Sequence, residues 1–225
     1  MALKHSLLAL AAFAVTASAH AQIGAAVTAD LGTTGAGLHL VVPMESNLNG
    51  RFGANYFKHD FDKRSGLVDY KFEGKLSTFD VLFDWYVIPN SSFRLTGGLV
   101  YNGSRFDAVG VPGANRSFNF NGNTYSTADL GRLEAEVTFR RAAPYVGIGW
   151  GNALSPNKRW NFSADVGAFY QGKANAKLIA FGCSTSKALC DKLANDLAVE
   201  KLRLQEELSD YKVYPVLRAS ISYSF

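Results

Sequence analysis

The sequence predicts an all-β fold: an antiparallel transmembrane β-barrel of about eight strands, with one amphipathic helix in its last external loop. Three observations lead there. Residues 211–225 alternate regularly, with Tyr211, Val213, Pro215, Leu217, Ala219, Ile221, Tyr223 and Phe225 on one face and Lys212, Tyr214, Val216, Arg218, Ser220, Ser222 and Ser224 on the other. A period of two with one apolar face is a strand with oil on one side. The chain also opens with an export leader, and beyond it no apolar run approaches the roughly 18 residues of a spanning helix. An exported strand this apolar would aggregate at the edge of a soluble sheet. Closed into a barrel, it satisfies every backbone group in a bilayer.

The leader is residues 1–21. Lys4 gives the positive start, Leu7 to Val15 the apolar run, and Ala19-His20-Ala21 the small-x-small exit, so maturation is expected before Gln22. A membrane anchor is the rival, but the run is short and no stop-transfer pattern follows. Residues 22–225 suit one domain. Gly (21), Phe (16) and Tyr (10) are abundant while Pro (6) is scarce. Losing Lys4 leaves 22 basic against 19 acidic residues, a dispersed excess too small to argue for nucleic acid. Cys183 and Cys190, the only cysteines, are expected to form a local disulfide in an exported chain. A metal pair lacks other ligands nearby, and no cofactor motif is present.

The strands follow by phase. Ile23 to Leu31, Gly35 to Val42 and Arg51 to Phe61 are the first three. Phe79 to Val87 sets Phe79, Val81, Phe83, Trp85 and Val87 opposite Asp80, Leu82, Asp84 and Tyr86. Phe93 to Asn102 and Trp160 to Gln171 repeat the pattern, with aromatics at the ends of apolar faces as lipid-facing girdles require. Leu133 to Trp150 changes phase: Leu133, Ala135, Val137 and Phe139 are odd, whereas Pro144, Val146, Ile148 and Trp150 are even. One extra residue near Arg140 to Ala143 would repair this, so a bulge is predicted there, and Pro144 fits beside it. The alternative is two strands with a turn at Arg140-Arg141, although no Gly, Asn or Asp marks one.

Connections orient the barrel. Pro43 to Asn49, Pro89 to Ser92 and Ala153 to Lys158 are short; Ala108 to Gly131 and Ala174 to Asp210 are long. Outer-membrane barrels keep short turns periplasmic and long loops outside. With Gly32 to Thr34 as a tight external turn, eight strands result and both termini are periplasmic. Within the last loop the period changes: Leu189, Leu193 and Leu197 fall four apart and Leu204 and Leu208 continue the stripe, predicting a helix within about 184–209. It can lie on the barrel rim, plug the lumen or dock another protein.

The inward set is then Asp30, His39, Arg51, Asn55, His59, Asp80, Asp84, Arg94, Glu134, Glu136, Asp165, Lys212 and Arg218. The lumen-lining candidates are Arg51, Asp80, Asp84, Arg94, Glu134, Glu136, Asp165 and Arg218. Eight strands leave an interior just wide enough for side chains or something small. Either these charges pair into a cross-linked core, or they line a narrow path for small polar solutes. Catalysis has one candidate base, His59 beside Asp60 and Asp62, for an outer-leaflet lipid-modifying enzyme. No Gly-x-Ser-x-Gly elbow or zincin pattern supports it, so the chain is not expected to be an enzyme.

Residues 144–151 (PYVGIGWG), the Asn161 to Gly172 strand and the closing Ile221-Ser222-Tyr223-Ser224-Phe225 together resemble the small eight-stranded outer-membrane barrels of Gram-negative bacteria, the class of the OmpA and OmpW transmembrane domains. The resemblance covers essentially the whole mature chain and implies the cell outer membrane, with lipid as surroundings. It also implies that Ile221, Tyr223 and Phe225 form the closing-strand signal read by the barrel-assembly machinery. The overall layout is similar to small porin-like proteins linked with basic amino-acid or carbapenem uptake. The leucine-rich helix departs from the OmpA and OmpW pattern.

Overall fold

A computed structural model describes residues 24–65, 68–111, 117–126, 131–155, 158–183 and 185–225. The expected leader lies outside these. Among the described residues the elements are β1 (Ala26–Gly32), β2 (Gly35–Glu45), β3 (Leu48–Ser65), β4 (Val68–Trp85), β5 (Phe93–Asn102), β6 (Arg105–Val111), β7 (Ser117–Phe120), β8 (Asn123–Ser126), β9 (Arg132–Thr138), β10 (Ala142–Trp150), β11 (Trp160–Tyr170), β12 (Asn175–Phe181), α1 (Lys187–Glu207) and β13 (Val213–Ser224). A 3-10 turn, Leu208–Asp210, follows the helix.

Eight strands close a barrel in the order β4-β3-β2-β1-β13-β11-β10-β5, sealed by the β4–β5 pairing. All neighbours are antiparallel. The apolar faces point outward: Leu38, Leu99, Val146, Phe162, Val166 and Leu217 are all exposed, the arrangement lipid demands. Aromatic pairs edge the wall at the short-turn end, with Phe93 against Trp150 at 5.4 Å and Trp160 against Tyr223 at 5.0 Å. Their ring bodies and polar tips suit the lipid–water boundary.

The strands run well past the lipid-facing wall. β3 and β4 pair along their full lengths, from Leu48↔Trp85 to Ser65↔Val68, whereas β2 leaves β3 at Ala36↔Tyr56. Above that point β6 adds to β4, β9 to β6 and β12 to β9, giving a tall sheet β3-β4-β6-β9-β12 at the long-loop end. The loop expected over 108–131 therefore carries most of β6 and the β7–β8 hairpin, and the loop expected over 174–210 carries β12 as well as α1. These strands lack a lipid-facing oil stripe, which is the periodicity the expectation relied on.

The interruption at 139–141 carries the extra residue expected of a bulge, but on one side only, so the phase repair expected of it does not follow. Counting from Thr138 to Tyr145 takes seven steps, while the partner strand takes six from Asn175 to Phe169, so one extra residue is present against β11 and β12. Against β5 and β6 no residue is extra, because Arg105↔Thr138 and Tyr101↔Ala142 keep one count. Leu133 and Val137 thus stay on the inward side with Ala143 and Tyr145 and never return to the lipid face. A Cβ on inward Gly74 would lie 3.6 Å from Phe106, the neighbour of Val137, which fixes that side.

The apolar residues change sides because the solvents do. Above the membrane the outer face meets water, and the inner face is covered by α1 and the hairpin. Leu193 and Leu197 of α1 bury against Leu133, Phe120 and Tyr125, with Leu189, Ala180 and Cys183 packed alongside. Ser186 caps the helix by accepting from the Leu189 N–H. The Cys183–Cys190 disulfide ties the end of β12 to its first turns. The helix therefore sits on the rim rather than in the lumen.

Candidate functional site: the charged lumen

Buried polar side chains fill the barrel interior, among them Asp30, His39, Arg51, Asn55, Asp80, Asp84, Arg94, Asp165 and Arg218, each 5% exposed or less. Inward phase on each strand puts them there, and register sorts them into two groups. In the first, Arg51 holds Asp165 with both terminal nitrogens, at 3.0 and 3.3 Å, and reaches Asp84 at 3.1 Å. Arg94 adds 2.7 Å to Asp165 and 3.4 Å to Asp84, donates to the Gly151 carbonyl, and Thr96 donates to Asp84 at 2.7 Å. In the second, Asp80 accepts from Arg218 at 2.8 Å and from Asn55 at 3.0 Å, and Arg218 reaches Asp30 at 3.3 Å.

His39 lies between two carboxylates, with Nδ1 2.7 Å from Asp30 and Nε2 3.2 Å from Asp80. Only the imidazolium donates from both nitrogens. Three arginines thus face four aspartates in the lumen, and an imidazolium at His39 would make the cations four. Burying ions is costly unless they are paired, and this set is matched.

Glycines make the crossing possible. A Cβ on Gly149 would sit 2.7 Å from Asp165 Oδ1 and 2.9 Å from the Arg94 guanidinium carbon; one on Gly147 would sit 2.7 Å from the Tyr145 hydroxyl. The long side chains lie flat over strands without side chains of their own. At one end Ala26, Val41, Ala153 and Leu154 pack together beneath the ions. Toward the other end on β5, β10, β11 and β13 follow Val100, Ala143, Tyr145, Phe169 and Val216, clustered with Leu82.

Of the eight lumen-lining candidates, Arg51, Asp80, Asp84, Arg94, Asp165 and Arg218 are in these two groups. Glu134 and Glu136 are not in the lumen, a correction to the phase reading. They stand on the outer face of β9 above the wall, where Glu136 pairs with Arg105 (3.1 Å) and Lys177 (2.9 Å) and Glu134 pairs with Arg132. The Lys177 hydrogen bond, against some desolvation, holds the Glu136 carboxyl below its usual range. His59 is stacked between Phe57 and Phe61, at 6.2 and 6.0 Å. Asp60 turns to the opposite face, 3.7 Å from Lys58, so it cannot orient His59 as a base. Lys212 lies in the turn before β13. Ile221 and Tyr223 are on the outer face of β13, and Tyr223 packs edge-on against Phe225.

One constellation escaped the sequence reading. Asp196 of α1 accepts from Asn121 at 3.1 Å, Asn123 at 2.8 Å and the Tyr125 hydroxyl, latching the β7–β8 hairpin to the helix. These bonds, Tyr125 first, hold the Asp196 carboxyl low; burial and the same bond push Tyr125 up to about 12. The clue was Asn121-Gly122, both at positive φ (51° and 78°), flanked by alternating aromatics. That pair favours a two-residue hairpin turn.

No protein-family profile and no curated protein matches this sequence. Solved structures do. Acinetobacter baumannii CarO2 superposes with a TM-score of 0.55 over 92% of this chain and 100% of its own, at 18% identity. CarO of the same organism gives 0.53 over 90% and 97%, at 20% identity. The fold is that of an outer-membrane barrel. At such identities the likeness of this barrel to CarO is one of architecture, and its chemistry must be argued from its own residues.

Proposed function

We propose that this outer-membrane barrel is closed at rest and serves as a structural and surface-contact protein of the envelope, presenting the tall sheet and its helix outside. The observation that carries this reading is the internal matching of the lumen charges: each aspartate is engaged by an arginine or by His39, and apolar clusters flank them. A solute would have to displace these partners. Single-channel recording of refolded protein tests it. The expected trace is no conductance above the bare bilayer, and a stable unitary conductance would overturn the reading.

A narrow porin-like path for small polar solutes is the second reading. It is favoured by buried polar atoms without a hydrogen-bond partner among the described residues: Arg51 Nε, Arg218 Nη1, Asn55 Oδ1 and the Tyr145 hydroxyl. Groups of this kind suit a hydrated interior. On this reading Asp84→Asn raises anion preference in any conductance observed. An outer-leaflet enzyme using His59 gains no support from its stacked ring. For assembly, Ile221, Tyr223 and Phe225 are proposed as the segment recognised by the assembly machinery, tested by the folded yield of Phe225→Ala in cells.

A further inference from the structure

The outer face of the tall sheet is ordered in rows, and the row nearest the lipid is cationic. Lys58 stands directly opposite Lys75, and Lys75 directly opposite Arg105. The next row away from the membrane is acidic, with Asp60, Glu73, Asp107 and Glu136 in register. Like charges directly opposite are unfavourable, and the two rows relieve each other only in part. Lys58 reaches Glu73 at 3.0 Å, Arg105 reaches Asp107 at 2.7 Å and Glu136 at 3.1 Å, and Lys177 reaches Glu136 at 2.9 Å. Lys75 instead lies over the Tyr56 ring, 5.9 Å from its centre, and Arg141 donates to the Tyr101 hydroxyl at 3.2 Å. Neither has a carboxylate within 4 Å among the described residues. Tyr101, Arg105, Glu136, Thr138, Arg141 and Lys177 line a recess of about 510 Å³ where the barrel gives way to the tall sheet. Tyr101 shares its outward face with Leu99 and pairs with outward Phe79; all three are about half exposed. Phe93, at the short-turn edge, is eight residues earlier on the same strand, about 27 Å of chain. Strand tilt reduces this to about 20 Å of height, close to the apolar band of about 25 Å. Tyr101 therefore marks the external interface, and the cations stand at headgroup level.

We infer that this recess holds a phosphate of the acylated, phosphorylated sugar lipid of the outer leaflet. Arg105 and Arg141 take the phosphate oxygens through their planar forks, and Lys75 supplies a point charge beside them. An anion placed there offsets the repulsion along the cationic row. The acyl chains follow Tyr101, Leu99 and Phe79 down the wall, and the sugar stands against the charged face above. A lipid source is favoured over free phosphate because the cations lie on the membrane side of the carboxylates and adjoin the aromatic edge of the apolar wall. The long-loop end is the external one, which places the site in the glycolipid leaflet. It lies outside the lumen and holds whether or not the barrel conducts.

The test is native mass spectrometry of the folded protein in detergent, titrated with diphosphorylated lipid A or with the same lipid after removal of its phosphates. Each cation near an anionic surface contributes about fivefold in binding, so the two without carboxylates together give about 25-fold. The diphosphorylated lipid should be retained better by at least that factor. K75Q/R141Q should cut the preference about tenfold or more, whereas K187Q/K201Q, an equal loss of charge on α1, should leave it within about twofold. If K75Q/R141Q fails to fold by its gel mobility, the unaltered protein in about 1 M salt, where the screening length falls to about 3 Å, should lose most of the preference. Equal retention of the two lipids, an unchanged preference in K75Q/R141Q or in salt, or an equal loss in K187Q/K201Q would overturn the site. Displacement of lipid A by equimolar inorganic phosphate would overturn the lipid assignment, and equal retention of phosphatidylglycerol would overturn the sugar-lipid one.

Discussion

Below the break at 102–104 and 139–141 the sheet keeps its ions inside and its oil outside; above it the arrangement is inverted. In the barrel Arg51, Arg94 and Arg218 meet aspartates in the lumen while Leu99 and Val146 face outward. In the tall sheet Lys58–Glu73 (3.0 Å), Arg105–Glu136 and Lys177–Glu136 run across the outer face, and Leu133 lies inward under α1. β4 passes through both regions without interruption. What differs is the medium on the outside. Ion pairs of similar length thus have different consequences, since the upper ladder is exposed on the outer face and the lower pairs are buried.

The contrast can be broken most forcefully from inside the barrel. Asp165→Ala leaves Arg51 and Arg94 sharing Asp84 alone, which should cost about 3–5 kcal/mol, read as a large drop in the thermal unfolding midpoint in detergent. An unchanged midpoint would mean the lumen is wetter than its burial implies. Next come matched lysines on the two outer faces. Val146→Lys places a charge against lipid and should cost about 2–4 kcal/mol near the midplane. Ile179→Lys, on the outer face of β12, should stay within about 0.5 kcal/mol. Equal costs would erase the boundary drawn here.

The latch gives a pH-dependent test confined to the upper region. Asp196 titrates lower in the folded chain than in the unfolded one, so its contribution is intact above the ordinary aspartate value of about 4 and is lost as pH falls through the folded value. Proteolysis within the β7–β8 hairpin should rise below about pH 4 and stay flat from 5 to 8, and Asp196→Asn should remove the acid step. A step near neutral pH would point to another group. The smallest effect is expected for Glu136→Gln, about 0.2–1 kcal/mol and weaker still in high salt; a loss like that of Asp165→Ala would show the ladder to be far drier than its exposure.

The eight barrel strands were legible because lipid imposes an alternation that short-range sequence records directly, as in 160–171 and 211–225. The Leu189–Leu193–Leu197 stripe and the Cys183–Cys190 pair were legible for the same reason, being local. Glu134 and Glu136 were misplaced because alternation reports which side is polar, never which side is the lumen. The two-group division of the lumen was invisible too. Asp165 and Arg51 are far apart in the chain, and only the stagger of closed strands sets their heights.

By itself, then, the sequence determined a lipid-facing barrel with a helix in its last loop, since binary patterning answers to the medium each residue meets. Tertiary structure alone decided which carboxylate each arginine holds, where the sheet exchanges its faces and that α1 covers the rim. Those outcomes depend on register and closure, which join residues more than a hundred positions apart through contacts no local pattern encodes.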